Sequence, residues 1–191
     1  VDSKGCIGTI STIEDILVRE LPDLDLTITG NNPICFGDFS ELAFPVLSGL
    51  APFNLSILEG STNNTLNVDA FGLIGGNPYQ VSPSTTTIYT LTSVTDANGC
   101  IQSLNDSKTL TVNEIPVVDV LGTTEICKGD YTNINFDFSA GVSPWILSYN
   151  TNGTAGFPFQ LNNISDSISV NPTTTSVYTY TAILDDNGCS S

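Results

Sequence analysis

The feature that most constrains this chain is a stretch of twenty residues that occurs twice. VSPSTTTIYTLTSVTDANGC runs from Val81 to Cys100, and VNPTTTSVYTYTAILDDNGC runs from Val170 to Cys189, an offset of 89 residues without a gap. Thr, Val, Ile and Tyr favour the pleated, half-buried backbone of a strand. The shared Asp-x-Asn-Gly supplies the residues that a tight turn between antiparallel strands needs. A unit that repeats this closely is first of all a building module.

Further matches extend the repeat over the whole chain. Residues Asp2–Pro22 align with Asp96–Pro116 at an offset of 94. We therefore predict that residues 1–22 are the C-terminal strand region of a preceding repeat, that 23–116 are one complete repeat, and that 117–191 are a second repeat lacking its last strand. On this prediction the chain is part of a longer array, and the prolines at the two boundaries stiffen short linkers.

Apolar and polar residues alternate with a period of two inside the repeat, which predicts strands with one buried face. The sets predicted to face inward are Leu42, Phe44 and Val46, with Ile134, Phe136 and Phe138 in the copy; Phe53, Leu55 and Ile57, with Trp145, Leu147 and Tyr149; Tyr89 and Leu91, with Tyr178 and Tyr180; and Leu110 and Val112. The first strand is predicted at Leu24–Thr29. Residues 58–80 are less regular and differ in length between the copies, which predicts loops and edge strands. About seven short strands per repeat are typical of an immunoglobulin-like sandwich. The predicted fold is all-β: tandem immunoglobulin-like antiparallel β-sandwich repeats that form a rod.

Charge and hydropathy exclude several classes of function. The 191 residues contain 4 basic and 20 acidic side chains, a net charge of −16. Binding to a phosphate backbone depends on Lys and Arg, so we expect no nucleic-acid partner. No apolar run approaches the roughly 18 residues that span a bilayer, so we expect no membrane insertion. Acidic clusters can bind calcium, but no calcium-loop spacing is present, and we expect no cofactor.

The sequence offers little for catalysis. It contains no His, so a Ser-His-Asp or Cys-His nucleophile cannot be built from it, and we expect a non-enzymatic protein with no catalytic or metal-binding residue. Asp185-Asp186 is the most obvious carboxylate pair, but it lies in the repeated turn, where a solvated turn is the preferred interpretation. Trp145 aligns with Phe53 on an alternating strand, which predicts a core aromatic residue and not an exposed sugar-stacking platform.

The five cysteines occupy two kinds of position. Two follow the first strand of a repeat, at Cys35 and Cys127, and three lie in the turn before the last strand, at Cys6, Cys100 and Cys189. Without His or a C-x-x-C pair a metal site is not expected, and we predict disulfides formed in an oxidising compartment.

Two disulfide pairings are open. Pairing within repeats would join Cys35 to Cys100 and Cys127 to Cys189. In an immunoglobulin sandwich, however, those two positions lie at opposite ends, about 23 Å apart for seven residues of strand, whereas a disulfide needs less than about 7 Å between Cα atoms. We therefore favour a bond between neighbouring repeats, Cys35–Cys189. Cys6, Cys100 and Cys127 would then pair with repeats outside this chain.

The ordered motifs Ile-Cys-x-Gly-Asp, Pro-Phe/Trp, Pro-x-Thr-Thr-x-x-Tyr-Thr and Asp-x-Asn-Gly-Cys resemble a known family. They are similar to the immunoglobulin-like or PKD-like repeats of large Bacteroidota surface proteins, the gliding-motility adhesins of SprB type. The resemblance covers essentially the whole chain. It implies type IX secretion, display at the cell surface attached to the outer membrane, and a structural role in an adhesin filament.

The resemblance also implies partners and a modification. Expected partners are neighbouring repeats, the secretion and gliding machinery, and a surface polysaccharide or substratum contacted through regions outside this chain. Ser167, in Asp166-Ser167-Ile168, fits the O-glycosylation motif of such organisms. The alternative function is a carbohydrate-binding or spacer module of a secreted polysaccharide-degrading enzyme.

Overall fold

The structure, a computed structural model, describes residues 3–5, 14–122 and 125–191. All eighteen described elements are β-strands, and apart from one parallel pair every strand pairing is antiparallel, as expected for immunoglobulin-like β-sandwiches. The prediction of an all-β fold is confirmed. The strands fall into two groups that pair only among themselves within the described residues; we call β1–β11 the first unit and β12–β18 the second unit.

The first unit has two facing sets of strands. One contains β2–β4–β8 and β1–β5; the other contains β10–β9–β6–β7 and the parallel pair β3–β11. The strands are β1 Asp23–Leu24, β2 Thr27–Ile28, β3 Ile34–Cys35, β4 Ser40–Ala43, β5 Val46–Ser48, β6 Phe53–Glu59, β7 Thr62–Val68, β8 Tyr79–Val81, β9 Thr87–Thr95, β10 Ile101–Leu110 and β11 Val112–Asn113.

The second unit repeats this plan with fewer strands. One set is β12–β13–β17, and in the other β14 pairs with β15, β16 and β18. The strands are β12 Val117–Gly122, β13 Thr132–Ala140, β14 Trp145–Thr151, β15 Thr154–Ala155, β16 Phe159–Leu161, β17 Ser165–Val170 and β18 Tyr178–Leu184.

Each unit has its own core, built from the alternating residues that the sequence pattern indicates. In the first unit Phe53, Leu55 and Ile57 of β6 are fully buried, and so are Tyr89 and Leu91 beside them on the neighbouring strand β9. In the second unit Trp145 stacks on Phe138 at a centroid distance of 4.0 Å, and Phe136 packs against Tyr180. Trp145 is therefore a core residue, as predicted.

Two of the predicted strands are each divided into two shorter strands in the structure. The predicted first strand, Leu24–Thr29, is divided into β1 and β2, and the strand carrying Leu42, Phe44 and Val46 is divided into β4 and β5. Pro45 lies in the gap of the second pair and has no N–H for the sheet ladder. The aligned residue of the second unit is Asp137, and there β13 runs without interruption. Among residues 58–80, where loops and edge strands were predicted, β7 forms a hairpin with β6 and lies at the edge of its sheet.

The boundary prolines are buried and each packs against a glycine. Pro22 lies beside Gly49 and Pro116 beside Gly141, and these glycines have φ values of +101° and +88°. A Cβ atom at either glycine would lie 2.8 Å from the Cα atom of its proline. Only glycine combines this backbone conformation with such a close approach.

Candidate functional site

A disulfide between Cys35 and Cys189 joins the two units. Their Cα atoms are 5.5 Å apart although 154 residues separate them in sequence. This is the favoured pairing between repeats, and the alternative within repeats is absent because Cys100 and Cys127 are thiols. The expectation that these two pair with other repeats stays a prediction, and Cys6 lies outside the described residues.

Backbone pairing fixes Cys35 at the end of the first unit. Strand β3 runs parallel to β11, and Cys35 is the register partner of Asn113. Phe36 N–H donates to the Asn113 carbonyl at 2.8 Å, and Asp38 N–H donates back to the Cys35 carbonyl at 3.0 Å. The cysteine is thus held on a short, hydrogen-bonded turn close to the Pro116 boundary.

A buried carboxylate fixes Cys189. Asp185 is 4% exposed, and its Oδ1 accepts a hydrogen bond from Cys189 N–H at 2.8 Å while its Oδ2 accepts one from Val142 N–H at 3.0 Å. The interpretation of Asp185-Asp186 as a solvated turn was therefore wrong for Asp185. Its side chain ties two loops together at the end of the second unit.

In the first unit Asp96 makes the equivalent hydrogen bonds to backbone N–H groups. Its carboxylate accepts hydrogen bonds from the N–H groups of Cys100, Asn98 and Leu50. Burial alone would raise the pKa of Asp96, but these hydrogen bonds and one from the Asn98 side chain outweigh that effect and lower the pKa below its ordinary value of 3.8. Both cysteine-bearing turns are therefore preorganised by an aspartate four residues before the cysteine.

The sequence contains a pattern that could have predicted the capping role of Asp96 and Asp185. Asp96 and Asp185 recur at the repeat offset, and so do the turn residues Leu50 and Val142 whose N–H groups they accept. An acidic residue kept at the same place in two copies, beside a cysteine, is better explained by backbone capping than by solvation.

Ser167, the predicted glycosylation site, lies next to an aspartate that is held by several hydrogen bonds. Ser167 is exposed on β17, and its N–H donates to Asp166 Oδ1. Hydrogen bonds from Asn162 and from Ser167, with further bonds from Asn163, lower the pKa of Asp166. O-glycosylation of Ser167 stays a prediction.

The described part of the chain contains neither a metal-binding cluster nor a membrane-spanning helix. There, no three His, Cys, Asp or Glu side chains cluster so that they could hold a metal ion. The same residues include no helix of the length and apolarity that crossing a membrane requires.

A cavity of about 300 Å³ lies in the second unit and was not predicted. Its lining includes Ile126, Ile134, Val170 and Tyr178, together with the polar run Thr173–Ser176. Glu125, Lys128 and the free thiol of Cys127 also line this cavity.

No protein-family model matches the chain. Among curated proteins the chain is similar to the nucleoporin POM152 of Saccharomyces cerevisiae, with 27% identity over 155 residues; the match covers 71% of this chain and 11% of the nucleoporin. Among solved structures it is similar to the native conformation of Escherichia coli alpha-2-macroglobulin seen by cryo-EM, with 10% identity and a TM-score of 0.27, over 90% of this chain and 16% of that one. At these values neither similarity assigns the chain to a family.

Proposed function

We propose that this chain is a load-bearing structural segment of a large extracellular bacterial adhesin filament that serves surface adhesion and gliding motility. The observation that carries the proposal is the Cys35–Cys189 disulfide, which connects two units that each have their own core. The repeat motifs and the expected export to an oxidising compartment support it.

The position of the disulfide determines which residues bear a force that is applied to the two ends of the chain. A force applied at the two ends of the chain passes from the N-terminal residues to Cys35, crosses the disulfide to Cys189, and leaves two residues later. Residues 36–188 form a closed loop outside that path. The whole core of the second unit and most of the core of the first unit therefore lie in a part of the chain that tension cannot extend while the bond is intact; Leu24, Leu26 and Ile34 of the first core precede Cys35.

The proposal includes a non-enzymatic role. The two buried aspartates hold turns together, and Trp145 packs in the core, so these sequence candidates for chemistry or sugar stacking serve the fold. Recognition of a surface polysaccharide or of the substratum would reside in other parts of the filament.

Single-molecule pulling tests the mechanical role directly. With handles at both termini, the oxidised chain should extend by no more than the residues outside the closed loop. After reduction, or in the Cys35→Ser variant, unfolding should release the loop and add roughly 500 Å of contour length, at about 3.5 Å per residue. Cys127→Ser is the matched control and should behave as the wild type. Equal extension of the oxidised and reduced chains would overturn the proposal.

A cellular measurement tests the wider role. Antibody to this segment should label the surface of intact cells of the source bacterium, and replacement of the segment's two paired cysteines should reduce attachment under flow without altering attachment in still medium. Labelling confined to the cell interior would refute an adhesin function while leaving the mechanical result intact.

A further inference from the structure

Among the described residues, the outer face of the sheet β10–β9–β6–β7 in the first unit carries no charged side chain. Strand register places its outward-facing residues in rows that cross the sheet. The rows are Ile101–Thr95–Asn54–Asn67, Ser103–Ser93–Ser56–Thr65 and Ser107–Thr90–Leu58–Asn63, with Thr109–Ile88 beyond them. We call this set the neutral face. It is built entirely from residues 54–109, so it is complete within one unit.

Two side-chain hydrogen bonds show that these rows share one side of the sheet. The hydroxyl oxygens of Thr90 and Ser107 are 2.8 Å apart across β9 and β10. The Asn54 side-chain amide donates to Asn67 Oδ1 at 3.0 Å across β6 and β7. The neutral face is therefore a continuous surface of hydroxyl and amide groups.

The charged residues of these four strands all lie on the other side of the sheet. Glu59 and Lys108 are register partners of the buried Tyr89, and Asp106 is a register partner of the buried Leu91. Glu59 accepts a hydrogen bond from the Tyr89 hydroxyl, and Asp106 pairs with Lys108. Internal partners thus keep the charges of β6 and β10 away from the neutral face.

The opposite side of the sandwich is acidic. Asp23 and Asp25 are exposed and flank the buried Leu24, and Glu41 of β4 precedes the buried Leu42. Because side chains alternate along a strand, these three carboxylates point away from the core. The first unit therefore has one neutral and one acidic face.

The second unit separates its charges in the same way. The described rows across β18, β14, β15 and β16 are uncharged: Leu184–Ile146–Gln160, Ala182–Ser148 and Thr179–Asn150–Ala155. On the other sheet the exposed Asp119 and Asp137 are register partners. Since both copies show this separation although most of the outward residues differ, it is a property of the repeat.

A neutral face is complementary to a second neutral face. Hydroxyl and amide groups both donate and accept hydrogen bonds, so two such surfaces can satisfy each other. Ile101 and Ile88 add apolar area, being 64% and 53% exposed. Each face thus offers the mixture of apolar and hydrogen-bonding groups that protein interfaces contain.

Charge determines which faces of two copies can meet. The chain carries a net charge of −16, so two acidic faces in contact would set like charges about 10 Å apart, the usual distance between packed sheets. With the neutral faces in contact, the acidic faces lie on the outside, about 30 Å apart, or three such distances. Screening at 0.15 M salt acts over about 8 Å, so repulsion between the acidic faces is then small.

The area of the neutral face suits a weak contact between copies. Four strands about 4.8 Å apart and four rows about 6.8 Å apart give roughly 500 Å². Two such faces would bury about 1,000 Å², which is the lower limit for a specific interface.

We propose that the neutral face is a side-by-side docking site for a second copy of this chain. The two copies pack neutral face against neutral face about a two-fold axis, so every contact occurs twice. In the filament proposed above, the contact would recur along two neighbouring filaments, and many weak contacts would together hold a bundle.

Sedimentation equilibrium tests the pairing, and its result does not depend on the pulling experiment. The chain with Ser in place of Cys6, Cys100 and Cys127 keeps the disulfide between units and cannot form others. At millimolar concentration it should show a reversible monomer–dimer equilibrium that strengthens as salt rises, because screening weakens the repulsion between the copies. A chain that stays monomeric, or an association that weakens as salt rises, would overturn the proposal.

Two substitutions of equal size and charge locate the contact. Asn54→Asp adds a carboxylate to the neutral face, and Asn135→Asp adds one at an exposed position of the acidic side of the second unit. At 0.15 M salt, Asn54→Asp should weaken dimerisation about tenfold, because the new charge enters the contact twice. Asn135→Asp should leave it within twofold of the unsubstituted chain, and circular dichroism checks that both variants are folded. Equal effects of the two variants would refute the assignment.

A charge exchange tests that two copies of the same face meet. Asn54→Lys alone should also dimerise weakly, whereas its mixture with Asn54→Asp should form a mixed dimer at least as stable as that of the unsubstituted chain. A mixture that associates no better than the two variants alone would contradict face-to-face pairing.

An uncharged polysaccharide is the other occupant that such a face could accept. Hydroxyethyl cellulose added to the chain should leave the dimer fraction unchanged. If the polymer bound the chain, dissociated the dimer and lost its binding in Asn54→Asp, the face would be a glycan site and the proposal would be wrong.

Discussion

Asp96 and Asp185 hold equivalent turns in the two units, and each accepts the backbone N–H of the cysteine four residues later. The distances are 2.9 Å to Cys100 and 2.8 Å to Cys189, although one cysteine is a thiol and the other forms a disulfide. The turn geometry therefore exists independently of the bond. Local hydrogen bonding from Asp185 positions Cys189, and the disulfide with Cys35 then forms at a turn that is already folded.

The first prediction concerns the pH dependence that Asp96 confers. Its pKa is lower in the folded chain than in an unfolded chain, so its ionised form stabilises the fold at pH values above about 4, and this contribution is lost as the pH falls through the lowered pKa. Asp96→Asn should lower the unfolding temperature at pH 7 and should flatten its decline between pH 4 and pH 2. Thermal unfolding followed by circular dichroism across that range measures both effects, and Asp186→Asn, at an exposed position, is the control.

The second prediction concerns the disulfide. Loss of a bond that closes a loop of this length should lower the free energy of unfolding by about 2–5 kcal/mol. Chemical denaturation of Cys35→Ser and of Cys189→Ser, each with and without reductant, measures this. Both variants should match the reduced wild type, and reductant should not change either of them further. A loss in the exposed-thiol variant Cys127→Ser as large as that in Cys35→Ser would contradict the assignment.

The third prediction compares two buried tyrosines. The Tyr89 hydroxyl donates to Glu59 Oε1 at 3.0 Å, whereas the buried hydroxyl of Tyr180 has no hydrogen-bond partner among the described residues. Tyr89→Phe should therefore cost about 1 kcal/mol of stability, and Tyr180→Phe should be neutral or slightly stabilising. Urea denaturation at pH 7 measures the two differences, and equal losses would contradict the hydrogen-bond assignment.

Alkaline unfolding extends this comparison. Burial, with the nearby Tyr178 and Tyr149, raises the pKa of Tyr180 to about 12 from its ordinary value of 10.0. A phenol whose pKa is raised by folding stabilises the fold fully below pH 10, and that contribution disappears as the pH rises toward 12. Tyr180→Phe should therefore lose less stability than the wild type between pH 10 and pH 12, as measured by chemical denaturation at fixed pH.

The fourth prediction uses the single tryptophan. Trp145 is buried, its ring stacks on Phe138, and its Nε1 has no hydrogen-bond partner among the described residues. Trp145→Ala should destabilise the second unit by about 3–5 kcal/mol. Trp145→Phe should cost less than about 1.5 kcal/mol, because the first unit uses Phe53 at the same position and no indole N–H is left unpaired. Circular dichroism during denaturation distinguishes the two variants.

The repeat made most of the fold predictable. Because inward-facing residues recur in both copies, the cores around Phe53 and Trp145 and the turns ending in Gly99 and Gly188 follow from the pattern. The interruption at Pro45 was also readable, since a proline without an N–H cannot continue a sheet ladder. The prediction was wrong because it gave the two aligned strands the same length, whereas one is divided into β4 and β5 and the other, β13, is continuous.

The site was less predictable than the fold. The pairing of Cys35 with Cys189 followed from sandwich topology, because strand length separates the two ends of one unit by more than a disulfide can span. The burial of Asp185 did not follow, since a charged residue in a turn is normally solvated and only the N–H groups of a second loop make burial favourable. The cavity of the second unit did not follow either, because its lining comes from separate parts of the chain, such as Ile126, Ile134 and Tyr178.

The closed loop between Cys35 and Cys189 also changes what a protease can achieve. Most bonds of the chain lie inside the loop, including the exposed turns around Phe71 and Phe157. A single cut there leaves both pieces covalently attached through the sulfur bridge, so the molecule stays in one piece until a second cut or a reductant separates it. A protein built in this way would survive nicking that severs an unbridged chain.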